Sequence, residues 1–150
     1  MRRFKFSLES VLNLKIAEEK QAKGEVAAAQ NRVNTLEQHK AELEDNLQRA
    51  QDNFKEEAKH GLTPDDFRIN YDYFDAQRRL IRGVQMEIGK AKELLAQKQA
   101  KLVEINREKK TLEKLREDKF REHMREENAK EAKELEDILL PKMMGGAENI

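Results

Sequence analysis

The side chains in this chain that could do chemistry are three histidines, a large set of carboxylates, and two tyrosines followed by a run of arginines. His39, His60 and His123 are widely separated in sequence. A catalytic or zinc-binding set requires such groups to converge on one pocket. A long helix would keep them apart, and the two-helix architecture argued below provides no concave pocket. No Gly-rich phosphate loop or nucleophile motif accompanies them. No catalytic, cofactor-binding or metal-ligating residue is therefore assigned, and an enzyme is not expected. Tyr71 and Tyr73 with Arg78, Arg79 and Arg82 come closest to a nucleic-acid site. Acids interrupt the basic character of every face, so no nucleic-acid partner is expected. What remains is recognition of protein, for which aromatics beside arginine are the usual hot-spot composition.

The elements that must carry these residues can be read from one break. Between His60 and Phe74 the chain runs H-G-L-T-P-D-D-F-R-I-N-Y-D-Y-F. Gly61 suits the left-handed residue that ends a helix. Thr63 suits an N-cap, with Pro64 at the first helical position and Asp65 and Asp66 facing the positive end of the helix dipole. The expected order is helix 1 over about 8–60, a turn at 61–63, helix 2 over about 64–140 and a flexible tail at 141–150. Ser7 is the candidate cap of helix 1, with Phe6 and Val11 at the spacing of a hydrophobic staple. Pro141 and Gly145-Gly146 are expected to end helix 2.

Composition supports long helices rather than a globule. Of 150 residues 40% are charged, 5% are aromatic and none is Trp or Cys; mean hydropathy is −0.98. Lys plus Arg equals Asp plus Glu at 30 each, so no net field selects an anionic partner. The absence of Cys removes disulfides and thiolates. Met1–Phe6 is basic, but no apolar run follows, so it does not read as a secretory signal. No stretch approaches a membrane span. A soluble, intracellular protein is expected.

The apolar residues keep a heptad period, which separates this chain from disorder of similar polarity. One ladder alternates steps of four and three from Leu8 to Phe54, through Leu12, Ala22, Val26, Ala29, Val33, Leu36, Leu43, Leu47 and Ala50, with Lys15, Glu19 and Lys40 as polar positions. A second runs from Phe67 to Leu112 through Phe74, Ile81, Val84, Ile88, Ala91, Leu95, Leu102 and Ile105. If the chain folds back about Leu62, facing residues should have numbers adding to 124, and rungs then meet rungs from Leu12 to Phe54: Leu36 meets Ile88, and Leu43 meets Ile81. The expected fold is all-α, an antiparallel coiled-coil hairpin that is a monomer when free. A parallel homodimer would give Gly61 and Pro64 no role. The layer of Lys15 with Lys109 is its expected weak point. Helix 1 would span ~80 Å and helix 2 ~115 Å at ~1.5 Å per residue, so residues 117–140 should overhang without an intramolecular partner.

Two surfaces stand out. Tyr71 and Tyr73 lie off the ladder and should be exposed near Arg78, Arg82 and Leu80. The overhang, with Phe4, Phe6, Phe120, Met124, Leu135, Ile138 and Leu139, needs something to lie against.

The residues R-R-F-K-F-S-L-E-S-V-L-N-L-K-I-A-E-E-K (2–20), I-N-Y-D-Y-F (69–74) and K-E-A-K-E-L-E-D-I-L (130–139) resemble those of the FliJ family, coiled-coil components of the flagellar type III export apparatus. The resemblance implies a stalk-like hairpin whose terminal end inserts into a hexameric export ATPase, promoting its assembly and activity. It also implies binding to the membrane export gate protein and escort of empty export chaperones. The implied location is the cytoplasm at the inner face of the cell membrane, at the flagellar base, with a role in flagellum biogenesis and through it in motility and chemotaxis. The gate surface maps onto Phe74, Arg78, Ile81 and Gln85; Phe74 fits, Ile81 is an apolar replacement, and Arg78 and Gln85 depart from the family's apolar residue and histidine. Tyr71 and Tyr73 adjoin it. The ATPase-ring contact maps onto Phe4, Phe6, Phe120, Met124, Leu135 and Ile138. The rival readings are a generic coiled-coil scaffold and a prefoldin-like holdase, the latter lacking room for β-hairpins in its connection.

Overall fold

The computed structural model describes residues 2–148, with side chains described for residues 2–141. Two α-helices, α1 (Glu9–Ala58) and α2 (Pro64–Glu148), pack against each other as a helical hairpin with the second helix longer. Among the described residues there is no strand.

The reversal follows from its local chemistry. Gly61 has φ +91°, in the left-handed region, where a Cβ would be strained. The last turn of α1 tightens as the N–H groups of Lys59, His60 and Gly61 donate to the carbonyls of Glu56, Glu57 and Ala58. Thr63 then caps α2 reciprocally. The Asp66 N–H donates to Thr63 Oγ1 at 3.2 Å, and the Thr63 N–H donates to Asp66 Oδ2 at 3.1 Å, a capping box closed by aspartate. Thr63→Ala should cost about 1 kcal/mol, and Gly61→Ala a similar amount. Thermal melts followed by circular dichroism would check both, and a neutral Gly61→Ala would contradict the strained turn.

α1 meets its expected span of about 8–60 to within two residues, whereas its expected cap and the expected end of α2 are corrected. α1 starts at Glu9, whose N–H donates to the Phe6 carbonyl at 3.1 Å, while Leu8 supplies the first acceptor to Leu12. The cap is therefore made by backbone, and Ser7 sits in the turn before it. α1 ends at Ala58, because residues 59–61 already belong to the turn. α2 does not end near Leu140: it carries Pro141 inside it and runs to Glu148. A helical proline removes one N–H donor, here toward Asp137, without obliging the helix to stop. Of the expected loose tail, residues 149–150 lie outside the described residues.

The chain divides into two compact units. One is Lys20–Val103 and contains the turn; the other combines Met1–Glu19 with Glu104–Ile150.

In the Lys20–Val103 unit the ladders are the core. Leu36, Val84 and Ile88 form a buried cluster against which Leu43 and Ala91 pack. Every ladder position from Ala22 to Phe54 and from Phe74 to Leu102 is buried or half-buried. Ion pairs keep the expected register: Glu25 with Lys98 (3.3 Å) and Lys101 (3.7 Å), Arg32 with Glu87 (3.7 Å), and Glu37 with Lys92 (3.3 Å). Each pair's numbers add to within five of 124. The hydrogen bond from Lys98, with the field of Lys101, holds the Glu25 carboxyl below its ordinary range. A depressed carboxylate stabilises the fold above its unfolded pKa, and that stabilisation is lost as pH falls through the folded value. The melting difference between the parent and Glu25→Gln should therefore be present at neutral pH and shrink in acid. A difference independent of pH would contradict it.

In the other unit the expected Lys15–Lys109 weak layer is replaced by ionic cross-links. Lys15 pairs with Glu108 at 2.6 Å and Glu18 at 3.2 Å. Lys109 Nζ reaches both carboxylate oxygens of Glu19 at 3.1 and 3.2 Å, and Asn106 Nδ2 donates to Glu19 at 2.6 Å. Facing rungs had set amine against amine, whereas long side chains reach diagonally to the next carboxylate. Hydrogen bonds from these lysines, chiefly Lys15 to Glu108 and Lys109 to Glu19, hold both amines above their ordinary range.

The expected start of the overhang is also corrected. Residues 2–6, which have no regular secondary structure, lie along α2. The Arg2 N–H donates to Glu127 Oε2 at 3.3 Å, and His123 Nε2 lies 2.8 Å from the Arg2 carbonyl. The Phe4 ring packs edge-on against Phe120 at 5.3 Å, with Arg116 over its face at 5.5 Å. Five residues drawn out at about 3.3 Å each cover as much length as about eleven residues of helix. That is why a short segment covers α2 as far as Glu127. Beyond it every side chain from Asn128 to Pro141 is exposed.

Candidate partner-binding surfaces

In the Lys20–Val103 unit the aromatic surface is built around Phe54 of α1. Its ring is 5.2 Å from Phe67, 5.9 Å from Tyr71 and 5.7 Å from Phe74, each roughly edge-on. Phe74 is 3% exposed and Ile81 half-buried, because both belong to the seam. Tyr71 and Tyr73 are 54% and 45% exposed. Tyr71 stands at the edge of the cluster, stacked at 6.4 Å on Phe67, so its ring is anchored on one side and open on the other. Arg78 is exposed and held to Asp75 at 3.2 Å. Gln85 borders a shallow depression with Glu37, Lys40, Ala41 and Glu44 of α1. The structure thus brings Phe74, Tyr71 and Tyr73 together and sets Arg78, Ile81 and Gln85 further along α2. Such a surface has rigid apolar anchors, a guanidinium and amide donors. It suits a protein partner more than a small molecule.

Three exposed apolar residues here escaped the sequence reading of the site: Ile69, Met86 and Phe54's neighbour Phe67, which is on the ladder yet 38% exposed. The available signal was their position off the ladder, or at its end next to the turn.

In the unit holding the termini, the expected residues fall into two sets. Phe6 is 9% exposed and Phe4 half-buried, so most of their apolar area is spent on α2 itself. Phe120 keeps 44% exposure and Met124 is half-buried. Leu135 and Ile138, with Leu139 and Leu140, stand more openly, between 47% and 59% exposed. Steps of three and four put Leu135, Ile138 and Leu139 on neighbouring positions of one helical face. Glu131, Glu134 and Asp137 flank them. His123, Arg116 and Glu127 are the residues that sequence reasoning missed. Each holds the N-terminal segment, and their signal was the alternation R-R-F-K-F, which suits an extended segment with its aromatics laid on a helix.

No group of His, Asp or Glu among the described residues is arranged to hold a metal ion. No helix of the described residues is long and apolar enough to cross a membrane.

Compared with known families, residues 4–143 match the model described as "Flagellar FliJ protein". No curated protein and no solved structure matches the chain.

Proposed function

The chain belongs to the FliJ family, components of the flagellar protein-export apparatus, and we propose that it is the stalk-like partner of the export ATPase. It binds and carries out no reaction of its own. The exposed stretch of α2 beyond Glu127, with Leu135 and Ile138 as anchors, contacts the hexameric ring and raises its hydrolysis of ATP. Phe4, Phe6, Phe120 and Met124 support that contact by fixing the N-terminal segment on α2. The aromatic surface, with Tyr71, Tyr73, Arg78 and Gln85 outward and Phe74 and Ile81 behind, contacts the membrane export gate. Escort of export chaperones is the third element of this reading. Its site of action is the cytoplasmic face of the membrane at the flagellar base.

The observation that carries the ring contact is the row Leu135, Ile138, Leu139 and Leu140, exposed on a stretch that has no burial within the chain. Exposed large apolar residues clustered on one surface mark a binding site more often than singly scattered ones.

The test is steady-state ATP hydrolysis by the cognate export ATPase with the full chain, and with the double variant Leu135→Asp, Ile138→Asp. The parent should stimulate. Two interface anchors at about 2 kcal/mol each make the variant's half-saturating concentration more than tenfold higher. Absence of stimulation by a folded, helical parent, or equal stimulation by the variant, would overturn the ring contact.

A further inference from the structure

α2 carries a second apolar line that the hairpin does not use. Ile69, Tyr73, Ala76, Leu80 and Gly83 follow at steps of four, three, four and three, so they share one face of the helix. That face is turned away from the seam of Phe74, Ile81, Val84 and Ile88, and from Arg78 and Gln85. Ile69, Tyr73 and Leu80 are all exposed, Ile69 by 62%. Nothing lies within 4 Å of where a Cβ on Gly83 would stand. No neighbour inside the chain therefore requires glycine there, although glycine costs about 1 kcal/mol against alanine in a helix. Asp72 and Arg79 border the line, and among the described residues neither makes an ion pair within the chain, Arg68 and Arg78 being paired with Asp65 and Asp75 instead.

The line is close to symmetric about Ala76, to within one residue. Turned about a two-fold axis through Ala76, Ile69 falls opposite Gly83, Tyr73 opposite Leu80, and Ala76 opposite itself. Two alanines meet on the axis, where the helices would approach most closely, and each outer Ile69 meets a Gly83. In an antiparallel pair the same flank of each helix meets, so Asp72 falls opposite Arg79 of the second copy, and Arg79 opposite its Asp72. Such self-complementarity is what an isologous contact demands.

We propose that this face of α2 binds a second copy of the chain, antiparallel, with Ala76 on the axis and two Asp72–Arg79 pairs closing one flank. One helical face buries less than the roughly 1,200 Å² of a standard interface. The contact is therefore weak: a dilute chain is monomeric, and dimers form as concentration rises. Tyr73 is shared with the proposed gate surface; Ile69, Asp72, Arg79 and Gly83 are not.

Sedimentation equilibrium of the full chain over a wide concentration range tests this. The average mass should rise from the monomer value toward twice that value. Asp72→Arg and Arg79→Asp should each lose the association, and the double exchange should restore it. Gly83→Leu should abolish association while leaving the melting temperature equal or higher, because leucine is the better helix former; a purely structural role would move both readouts together. The chain has no Cys, so Ala76→Cys under mild oxidation should yield a disulfide-linked dimer where Ala100→Cys does not. A monomer mass at every concentration, a double exchange no better than the single ones, or equal cross-linking at both cysteines would overturn the proposal.

Discussion

Ile88→Asp should abolish most of the cooperative helical structure at room temperature, whereas Leu94→Asp should leave it intact. Ile88 is 3% exposed in the cluster with Leu36 and Val84, and no cation belongs to that cluster. Removing a buried isoleucine costs about 2–5 kcal/mol. Placing a carboxylate in the gap adds the cost of burying a charge. Together these approach the whole stability of an ordinary domain, about 5–15 kcal/mol. Leu94 is 47% exposed on the same helix, where a substitution changes stability by about 0.5 kcal/mol. Helical circular dichroism and thermal melts of the two variants would decide. Equal tolerance would mean that helix propensity, not the seam, holds the hairpin.

The second large effect is expected at Glu19. Its carboxylate is buried, and it satisfies Lys109 and Asn106 together. Glu19→Leu removes both contacts and leaves Lys109 with Glu113 at 3.7 Å. Breaking one partner of a buried pair costs about 3–5 kcal/mol. Lys109 keeps a route to water, its side chain being 19% exposed, so about 1–3 kcal/mol is expected here, or roughly 3–9 °C in melting temperature for a chain of this size. Glu19→Leu combined with Lys109→Leu should recover stability to the parent's level or above, since an apolar layer of similar volume replaces the pair. The four melting temperatures form a double-mutant cycle. If the double variant is no better than Glu19→Leu alone, the layer is not acting as a coupled pair.

Much of this architecture was legible because it rests on short-range rules. Gly61, Thr63 and Pro64 located the reversal from backbone chemistry alone, and the ladders from Leu12 to Leu112 located the seam from period alone. What was not legible had a different cause in each case. The Lys15 and Lys109 layer was misread because rung-to-rung pairing ignores the reach of long side chains, which here select Glu108 and Glu19. The docked N-terminal segment was missed because it obeys no helical period. Its alternation of basic and aromatic residues is too short to stand out, and its partners His123 and Glu127 are polar residues that any solvated helix could carry. Pro141 reads as a stop because proline usually is one, yet α2 continues through it. At the aromatic surface, Tyr71 and Tyr73 were correctly expected off the seam, but Phe54, the ring that gathers them, belongs to the other helix and was read only as a ladder position.

The single reversal at Gly61 also orders how the chain can fold in time. In a hairpin the sequence distance between partners grows steadily away from the turn. Phe54 and Phe67 lie close together in sequence, while the Arg2–Glu127 hydrogen bond joins residues 125 apart. Loop closure costs more entropy as the loop lengthens. The aromatic contacts beside the turn are therefore the least costly nucleus, and later contacts close by zippering outward from them. On the ribosome the order is stricter. All of α1 emerges before any residue that could cover its ladder. The segment at residues 2–6 waits longest for its partners, because Phe120, His123 and Glu127 are made more than a hundred residues after it. Until α2 emerges, α1 presents an uncovered heptad seam, the kind of exposed apolar surface that makes a partly made chain prone to association.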